Sequence, residues 1–125
     1  MKFNEFFISS KEGKSNCVIR TFCKMFNEEY DSIYNDLCSI AKQLECSSFN
    51  DIQVFERYMK EHDTFPIKYD KDTKIKDLDL NDGNYAVFCW DKKDFYHMVS
   101  IIDNNLYDKD DRSLELYAIK IYKQN

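Results

Sequence analysis

The sequence has few of the residues that interrupt regular structure, with two glycines and one proline among 125 residues. It contains no apolar run of membrane-spanning length, which argues against a membrane protein. The first ten residues lack a basic segment followed by a long apolar segment, so no secretory signal is expected. These absences predict a cytoplasmic protein.

The cysteine pattern argues against a disulfide framework and against a zinc site. The five cysteines are an odd number in a chain without an export signal. None are spaced as C-x-x-C, and neither histidine has a ligand partner nearby in the sequence. We therefore expect no metal and no cofactor.

Basic clusters are also missing. The 18 Lys and Arg residues are scattered among 23 Asp and Glu residues, and the net charge is −5, so no nucleic-acid partner is expected. Apolar residues make up 43% of the chain and aromatic residues 16%, which is enough for a hydrophobic core. The length predicts one domain, residues 1–125.

Helical spacing dominates the first half of the chain. Residues 9–16 read as a polar loop, and a helix is predicted to begin at Ser15 or Asn16, both good N-cap residues. Ser48 and Asp51 predict a capping box for a third helix. The apolar stripes of the three helices are Val18, Ile19, Phe22, Met25 and Phe26, then Tyr30, Ile33, Tyr34, Leu37, Ala41 and Leu44, then Ile52, Phe55 and Met59.

Strand patterns dominate the second half, so the fold class is α+β, with N-terminal helices packed on a C-terminal antiparallel sheet. Residues 85–90 are continuously apolar, as in a strand covered on both faces. Residues 103–105 predict a tight turn with left-handed geometry. The other predicted strands are 3–8 (or an extended lead-in), 65–69 (an edge strand with the only proline), 96–102, 106–108 and 114–122.

The candidate for chemistry is a thiol–imidazole pair. Cys17 lies at the start of the first helix, where free N–H groups and the helix dipole favour a thiolate. His97 opens an apolar strand and is the candidate base, whereas His62 follows a helix and is expected in solvent or at the helix C-terminus. Taken singly, such a cysteine and such a histidine are more often structural, and it is their order along the chain that favours catalysis.

An imidazole that serves a thiol needs a third group to hold it. If the hairpin turns at residues 103–104, position 108 lies diagonal to His97 and position 110 lies opposite it. Asp108 or Asp110 would then reach the ring, and Asp111 stays possible if the register shifts.

The local strings resemble small papain-like cysteine peptidases, which are often encoded by bacteriophages and bacteria. Residues 16–21 (NCVIRT) resemble the N-C-V-x-R-A helix of these proteins, and residues 97–108 (HMVSIIDNNLYD) resemble their H-x-V-x-V-x-D-G-x-x-Y-D hairpin. The resemblance implies a papain-like fold with Cys17 as nucleophile, His97 as general base and acid, and Asp108 as orienting residue. Asp111 matches a second aspartate that often follows the hairpin.

The sequence departs from the family at the oxyanion hole and in the first helix. Papain-type enzymes usually have a Gln a few residues before the cysteine, and none is present here. The Cys17 backbone N–H can supply one donor, and a second is left open among Asn16, Ser15, Ser10 and a backbone group. Position 21, a Thr here, is usually Ala.

Two functions are compatible with these features. The first is a cysteine hydrolase of the peptidase or isopeptidase type acting on a peptide or protein. The alternative is a catalytically idle papain-fold module that binds a host or self protein. A phage-encoded chain would act in the host cytoplasm, and no membrane partner is expected.

Overall fold

The computed structural model of the chain describes residues 1–8 and 16–125. Most of the predicted loop at residues 9–16, with Ser10 and Ser15, lies outside these described residues. Three helices pack on a six-stranded sheet, which confirms the α+β class. Within the described residues, no helix combines the length and apolar character needed to cross a membrane. The helices are α1 (Cys17–Phe26), α2 (Tyr30–Gln43) and α3 (Ile52–Glu61).

α1 forms where the apolar spacing predicts it. Its inward residues Val18 and Phe22 are buried, and Asn27 ends the helix with a left-handed φ of 54°. Asn16 occupies the N-cap position, but its side chain makes no capping hydrogen bond. Its Oδ1 instead accepts a hydrogen bond from the Tyr30 hydroxyl at 3.1 Å, which ties the start of α1 to the start of α2.

The start of α3 differs from the predicted capping box. Asp51 is itself the N-cap, because its carboxylate accepts a hydrogen bond from the Gln53 backbone N–H at 2.9 Å. The Ser48 hydroxyl oxygen instead accepts from the backbone N–H of Asn50 at 3.0 Å. Ile52, predicted to face the core, is 42% exposed.

The far end of α3 places the second histidine. His62 is the C-cap, and its Nδ1 donates to the Tyr58 carbonyl oxygen at 2.8 Å. Its ring also stacks on the Tyr58 ring at 4.1 Å between centroids. Of the two predicted placements, the helix C-terminus is the one observed.

The strands are β1 (Lys2–Glu5), β2 (Thr64–Ile67), β3 (Asn84–Trp90), β4 (Tyr96–Ile102), β5 (Asn105–Asp108) and β6 (Tyr117–Gln124). They lie in the order β1-β5-β4-β3-β6-β2. The predicted antiparallel sheet is wrong at one edge, because β1 pairs in parallel with β5. β2 forms the other edge of the sheet and pairs with β6 alone. An edge strand tolerates Pro66, which has no backbone N–H to donate, because no further strand lies on its outer side. The last strand begins at Tyr117, three residues later than predicted, and Leu114 instead lies exposed in the preceding turn.

β3 lies inside the sheet and is covered on both faces, as its apolar run predicts. Ala86 and Phe88 pack in the cluster shared with the helices, while Val87 and Cys89 pack in a second cluster on the opposite face. The connection between β2 and β3 covers that second face. It contains a short 3-10 helix, Ile75–Asp77, in which Ile75 is buried against the second cluster.

The β4–β5 hairpin sets the position of one acidic side chain. Asp103 and Asn104 form its turn with φ values of 48° and 63°, as the tight two-residue turn requires. The turn pairs Ser100 with Tyr107. Extended along the two strands, this register places Asp108 diagonal to His97, as predicted for this turn.

Candidate active site

α1 lies against β4, and this packing brings the first residue of α1 to the first residues of the strand. The Cys17 thiol lies beside the His97 side chain and the Met98 backbone, close enough for both groups to lower its pKa by hydrogen bonding. The two residues are 80 positions apart in the sequence, so only the packing of the helix on the sheet joins them.

A second hydrogen bond holds the imidazole from its far side. His97 Nε2 lies 2.8 Å from Asp108 Oδ2, and the two residues are only 8% and 3% exposed. With Nε2 engaged in this way, Nδ1 is the ring nitrogen left to serve the thiol. The Phe95 ring stacks against the imidazole at 5.5 Å between centroids and further fixes its plane.

Asp108 is itself held from several directions. Its Oδ1 accepts a hydrogen bond from the Lys109 backbone N–H at 2.7 Å and lies 3.7 Å from Arg20 Nε. Its backbone carbonyl accepts from the Phe6 N–H at 2.8 Å, just beyond β1. Arg20 follows Cys17 by three positions and so shares its helix face, but no local signal in the sequence predicted its contact with Asp108.

The two alternative aspartates do not lie beside His97. β5 ends at Asp108, so the chain leaves the sheet before it reaches Asp110 and Asp111, and both are exposed. Asp111 accepts hydrogen bonds at Oδ1 from the backbone N–H and the hydroxyl of Ser113, at 3.1 and 2.7 Å. Asp108, and neither of these two residues, is therefore the aspartate that lies against the imidazole.

Thiol and imidazole shift each other's proton affinity. Burial by itself would raise the pKa of Cys17, but the hydrogen bond and charge of His97, the Met98 backbone and the Arg20 charge outweigh it and lower the pKa. Burial would likewise lower the pKa of His97, but hydrogen bonds and charges from Asp108 and Cys17 raise it to about 9. The shifts favour a thiolate beside an imidazolium.

A cleft of about 370 Å³ opens beside the sulfur, and we call it the cysteine cleft. The exposure of Ile52 follows from this cleft, since Ile52 forms part of its wall. Asn50, on the turn before α3, adds a polar side chain that the sequence analysis missed, because nothing local marks it. The lining residues are Cys17, Val18, Asn50, Ile52, Phe55, Phe88, Tyr96 and His97.

The predicted oxyanion donors are only partly described. The Cys17 N–H lies in the first turn of α1, where backbone donors have no partner within the helix. Asn16 is buried directly before it and is oriented by Tyr30. Ser10 and Ser15 lie outside the described residues.

The remaining cysteines lack this environment. All five are free thiols. Cys89 is paired with His97 across the β3–β4 ladder, where its thiol donates to the His97 carbonyl oxygen at 3.4 Å and burial raises its pKa well above the ordinary value. Cys23 is buried in the helical core cluster. Cys17 is thus the thiol that combines a lowered pKa with a cleft.

Comparison of the chain with protein-family models, curated proteins and solved structures gives no match.

Proposed function

We propose that the protein is a papain-like cysteine hydrolase of the peptidase or isopeptidase type. The observation that carries the proposal is that Cys17 and His97 lie together at the wall of the cysteine cleft, with the His97 ring hydrogen-bonded to Asp108. This arrangement supports the proposal because nucleophilic catalysis by a thiol uses a nucleophile, a base and a group that orients the base.

The reaction follows from the positions of the protons. The Cys17 thiolate attacks the carbonyl carbon of an amide or ester, and the tetrahedral intermediate collapses when imidazolium His97 protonates the leaving group. A thioester to Cys17 remains. Neutral His97 then takes a proton from water, the hydroxide attacks the thioester, and the acid is released with the thiolate and imidazolium restored. Asp108 holds the ring in position throughout.

The oxyanion that forms in both steps requires hydrogen-bond donors. The backbone N–H of Cys17 is the first donor, and the Asn16 side chain, oriented by Tyr30, is the second in our proposal. Each such donor typically contributes about 10²–10³ in rate.

The test uses the p-nitrophenyl ester of N-acetylphenylalanine, a small activated ester with an apolar acyl group. The wild type should release p-nitrophenolate in many turnovers, and intact-mass spectrometry should find the acyl group on Cys17. Cys17→Ala should reduce turnover by at least about 10³-fold. Cys23→Ala, a matched control, should lower stability and keep the turnover.

The alternative function is a binding module without catalysis, acting on a host or self protein. Equal turnover by Cys17→Ala and Cys23→Ala, or an acyl group that stays on Cys17 without hydrolysis, would contradict the hydrolase proposal and favour that alternative.

A further inference from the structure

The imidazole of His97 borders the Phe95 ring, and a cation lies over that same ring. The Phe95 and His97 rings stack with their centroids 5.5 Å apart and their planes at 27°. Arg112 Cζ, the central carbon of the guanidinium, lies 4.2 Å from the centroid of the Phe95 ring. A guanidinium at this distance is attracted to the electron-rich face of the ring. Phe95 therefore connects the candidate base to Arg112, which lies on the segment after β5.

The turn between β3 and β4 fixes the main chain of Phe95. The Asp91 carboxylate accepts hydrogen bonds at Oδ1 from the backbone N–H groups of Lys93, Asp94 and Phe95, at 2.8, 3.2 and 3.1 Å. The Asp91 N–H in turn donates to the Phe95 carbonyl oxygen at 3.1 Å. These hydrogen bonds hold the main chain only, so the orientation of the ring depends on the groups that touch it.

Arg112 is held through both its main chain and its side chain. Its carbonyl oxygen accepts hydrogen bonds from the N–H groups of Glu115 and Leu116, at 3.0 and 3.2 Å, and Leu116 is buried. Its Nη2 and Nε donate to Glu115 Oε2 at 3.0 and 3.3 Å. The hydrogen bonds from Ser113 to Asp111 close the turn around it. The guanidinium is therefore presented to the phenyl ring from an anchored turn.

The imidazole needs support besides its hydrogen bond to Asp108. The torsion that turns an imidazole about its Cβ–Cγ bond has a broad energy minimum. The hydrogen bond from Nε2 to Asp108 restrains this torsion at one ring atom, whereas a stacked ring restrains the whole plane of the imidazole. The setting of this plane decides whether Nδ1 faces Cys17, and a small misplacement of a base costs rate.

We infer that Arg112 is a positioning residue for the thiol–imidazole pair. Its guanidinium holds the Phe95 ring, and the Phe95 ring holds the His97 plane in which Nδ1 faces Cys17. Arg112 lies outside the described wall of the cysteine cleft, so it acts on the pair through Phe95 and not on a substrate. The consequence for catalysis rests on the proposed hydrolase function, and the inference adds a residue that supports the site from outside.

A direct effect of the Arg112 charge is the competing explanation. Burial, together with the charges of Cys17 and Asp108, raises the pKa of Cys89, and the Arg112 charge opposes this rise. The charge therefore reaches the strand pair that carries the imidazole. A double-mutant cycle separates the two explanations, because only an effect carried by the ring disappears when the ring is removed. The other charged or titratable groups beside the pair are Arg20 on α1, Cys89 on β3 and Asp108 on β5.

The experiment measures how fast iodoacetamide modifies Cys17 in the full-length protein at pH 6 and at pH 10. Arg112→Gln should slow the reaction at pH 6 by roughly three- to tenfold, because a displaced imidazolium stabilises the thiolate less. At pH 10 its rate should stay within about twofold of the wild-type rate, because the thiol then ionises without an imidazolium. Arg112→Lys keeps a cation that can reach the ring and should recover most of the wild-type rate.

Two further variants serve as controls. Arg57→Gln is the matched change on the exposed surface of α3, where Arg57 is also paired with a glutamate, Glu61, at 3.2 Å. It should keep the wild-type rate at both pH values. In a Phe95→Leu background, Arg112→Gln should cause no further slowing at pH 6.

The histidine ring signals in NMR spectra give a second measurement, because the chain has only two histidines. In Arg112→Gln the ring C–H signals of His97 should shift, since the Phe95 ring no longer keeps its orientation over the imidazole. The signals of His62, which stacks on Tyr58, should stay in place.

The negative results have different meanings. A wild-type rate at pH 6 in folded Arg112→Gln would overturn the positioning role, and an equal loss with and without the Phe95 ring would overturn its route. Neither result bears on the hydrolase function, which depends on ester turnover by the wild type. Absence of that turnover, with slowed alkylation in Arg112→Gln, would overturn the hydrolase function and support the positioning role.

A second variant covers the case in which Arg112→Gln fails to fold, as judged by circular dichroism. Glu115→Gln changes an exposed residue and weakens the hold on the guanidinium. It should slow the pH 6 alkylation of Cys17 by about twofold, as for loss of an exposed ion pair. A wild-type rate in this variant would then overturn the positioning role.

Discussion

The Cys17 thiol and the His97 imidazole change each other's proton affinity in opposite directions. Each is largely buried, and burial alone would leave both neutral. Their interaction with each other, together with the hydrogen bond from Asp108 to the ring, reverses this tendency in both pKa values. The lowered pKa of the Cys17 thiol is therefore a consequence of its neighbours.

Selective alkylation tests this difference. At pH 6, iodoacetamide should modify Cys17 at least about tenfold faster than the other cysteines, because the lowered pKa keeps a larger fraction as thiolate. Cys89 should react slowest, since burial raises its pKa. Peptide mapping by mass spectrometry gives the individual rates, and His97→Ala should slow the reaction of Cys17. Uniform labelling of all five cysteines would contradict the ion pair.

Asp110 provides a matched control for a substitution of Asp108, since it is an exposed aspartate two positions away. Asp108→Asn should lower kcat/KM by at least about 10²-fold, because an amide cannot hold the imidazolium as the carboxylate does. Asp110→Asn changes an exposed neighbour and should stay within about twofold of the wild type. A comparable loss in both variants would show that His97 does not depend on Asp108.

The site residues lie at or near the ends of helices and strands. The first residue of α1 supplies the thiol, the start of α3 supplies one wall of the cysteine cleft, and the ends of β4 and β5 supply the imidazole and carboxylate. The site is therefore built where helices and strands begin or end.

The α3 cap gives a prediction about stability. Asp51→Ala removes the acceptor for the Gln53 N–H and should reduce the free energy of unfolding by about 1 kcal/mol. Ser48→Ala, at the other position of the expected capping box, should change it by less than about 0.5 kcal/mol. Urea denaturation followed by circular dichroism measures both, and a larger loss for Ser48→Ala would contradict the assignment of the cap.

Element types were predictable from the sequence where a strong local pattern exists. β3 and β4 follow from apolar runs, and the turn at Asp103 and Asn104 follows from residues that tolerate positive φ. The parallel pairing of β1 carries no local signal, because its partner β5 lies about a hundred residues away. The exposure of Ile52 was also not predictable, because helix residues that line a cleft and helix residues that pack in the core recur with the same spacing.

At the scale of the whole molecule, the opposite pKa shifts of Cys17 and His97 link stability to pH. His97 has a raised pKa in the folded state, so its contribution is complete below the ordinary value of 6.5 and is lost as pH rises through about 9. Cys17 has a lowered pKa, so its contribution is present above the ordinary value of 9.0 and is lost as pH falls through the folded-state pKa. Between these limits the two dependences oppose each other.

Replacing Cys17 with alanine should reveal the pH dependence of stability that is due to His97 alone. In Cys17→Ala, Asp108 still raises the proton affinity of His97, so the free energy of unfolding should fall as pH rises above the ordinary histidine pKa of 6.5. The wild type should show a flatter curve, and Cys17→Ala combined with His97→Gln should lose the fall. Urea denaturation at several pH values gives these curves. Parallel curves for wild type and Cys17→Ala would contradict the linkage.

The sequence by itself determined the α+β class, the helices and most strands, and the turn that places an aspartate diagonal to His97. These features depend on residues close together in the chain, where periodicity and backbone preference act. Only the tertiary structure decided that Cys17 meets His97 and that Asp108 rather than Asp110 or Asp111 holds the ring. Those contacts come from packing between distant segments, which buries apolar faces and leaves no mark at any single position.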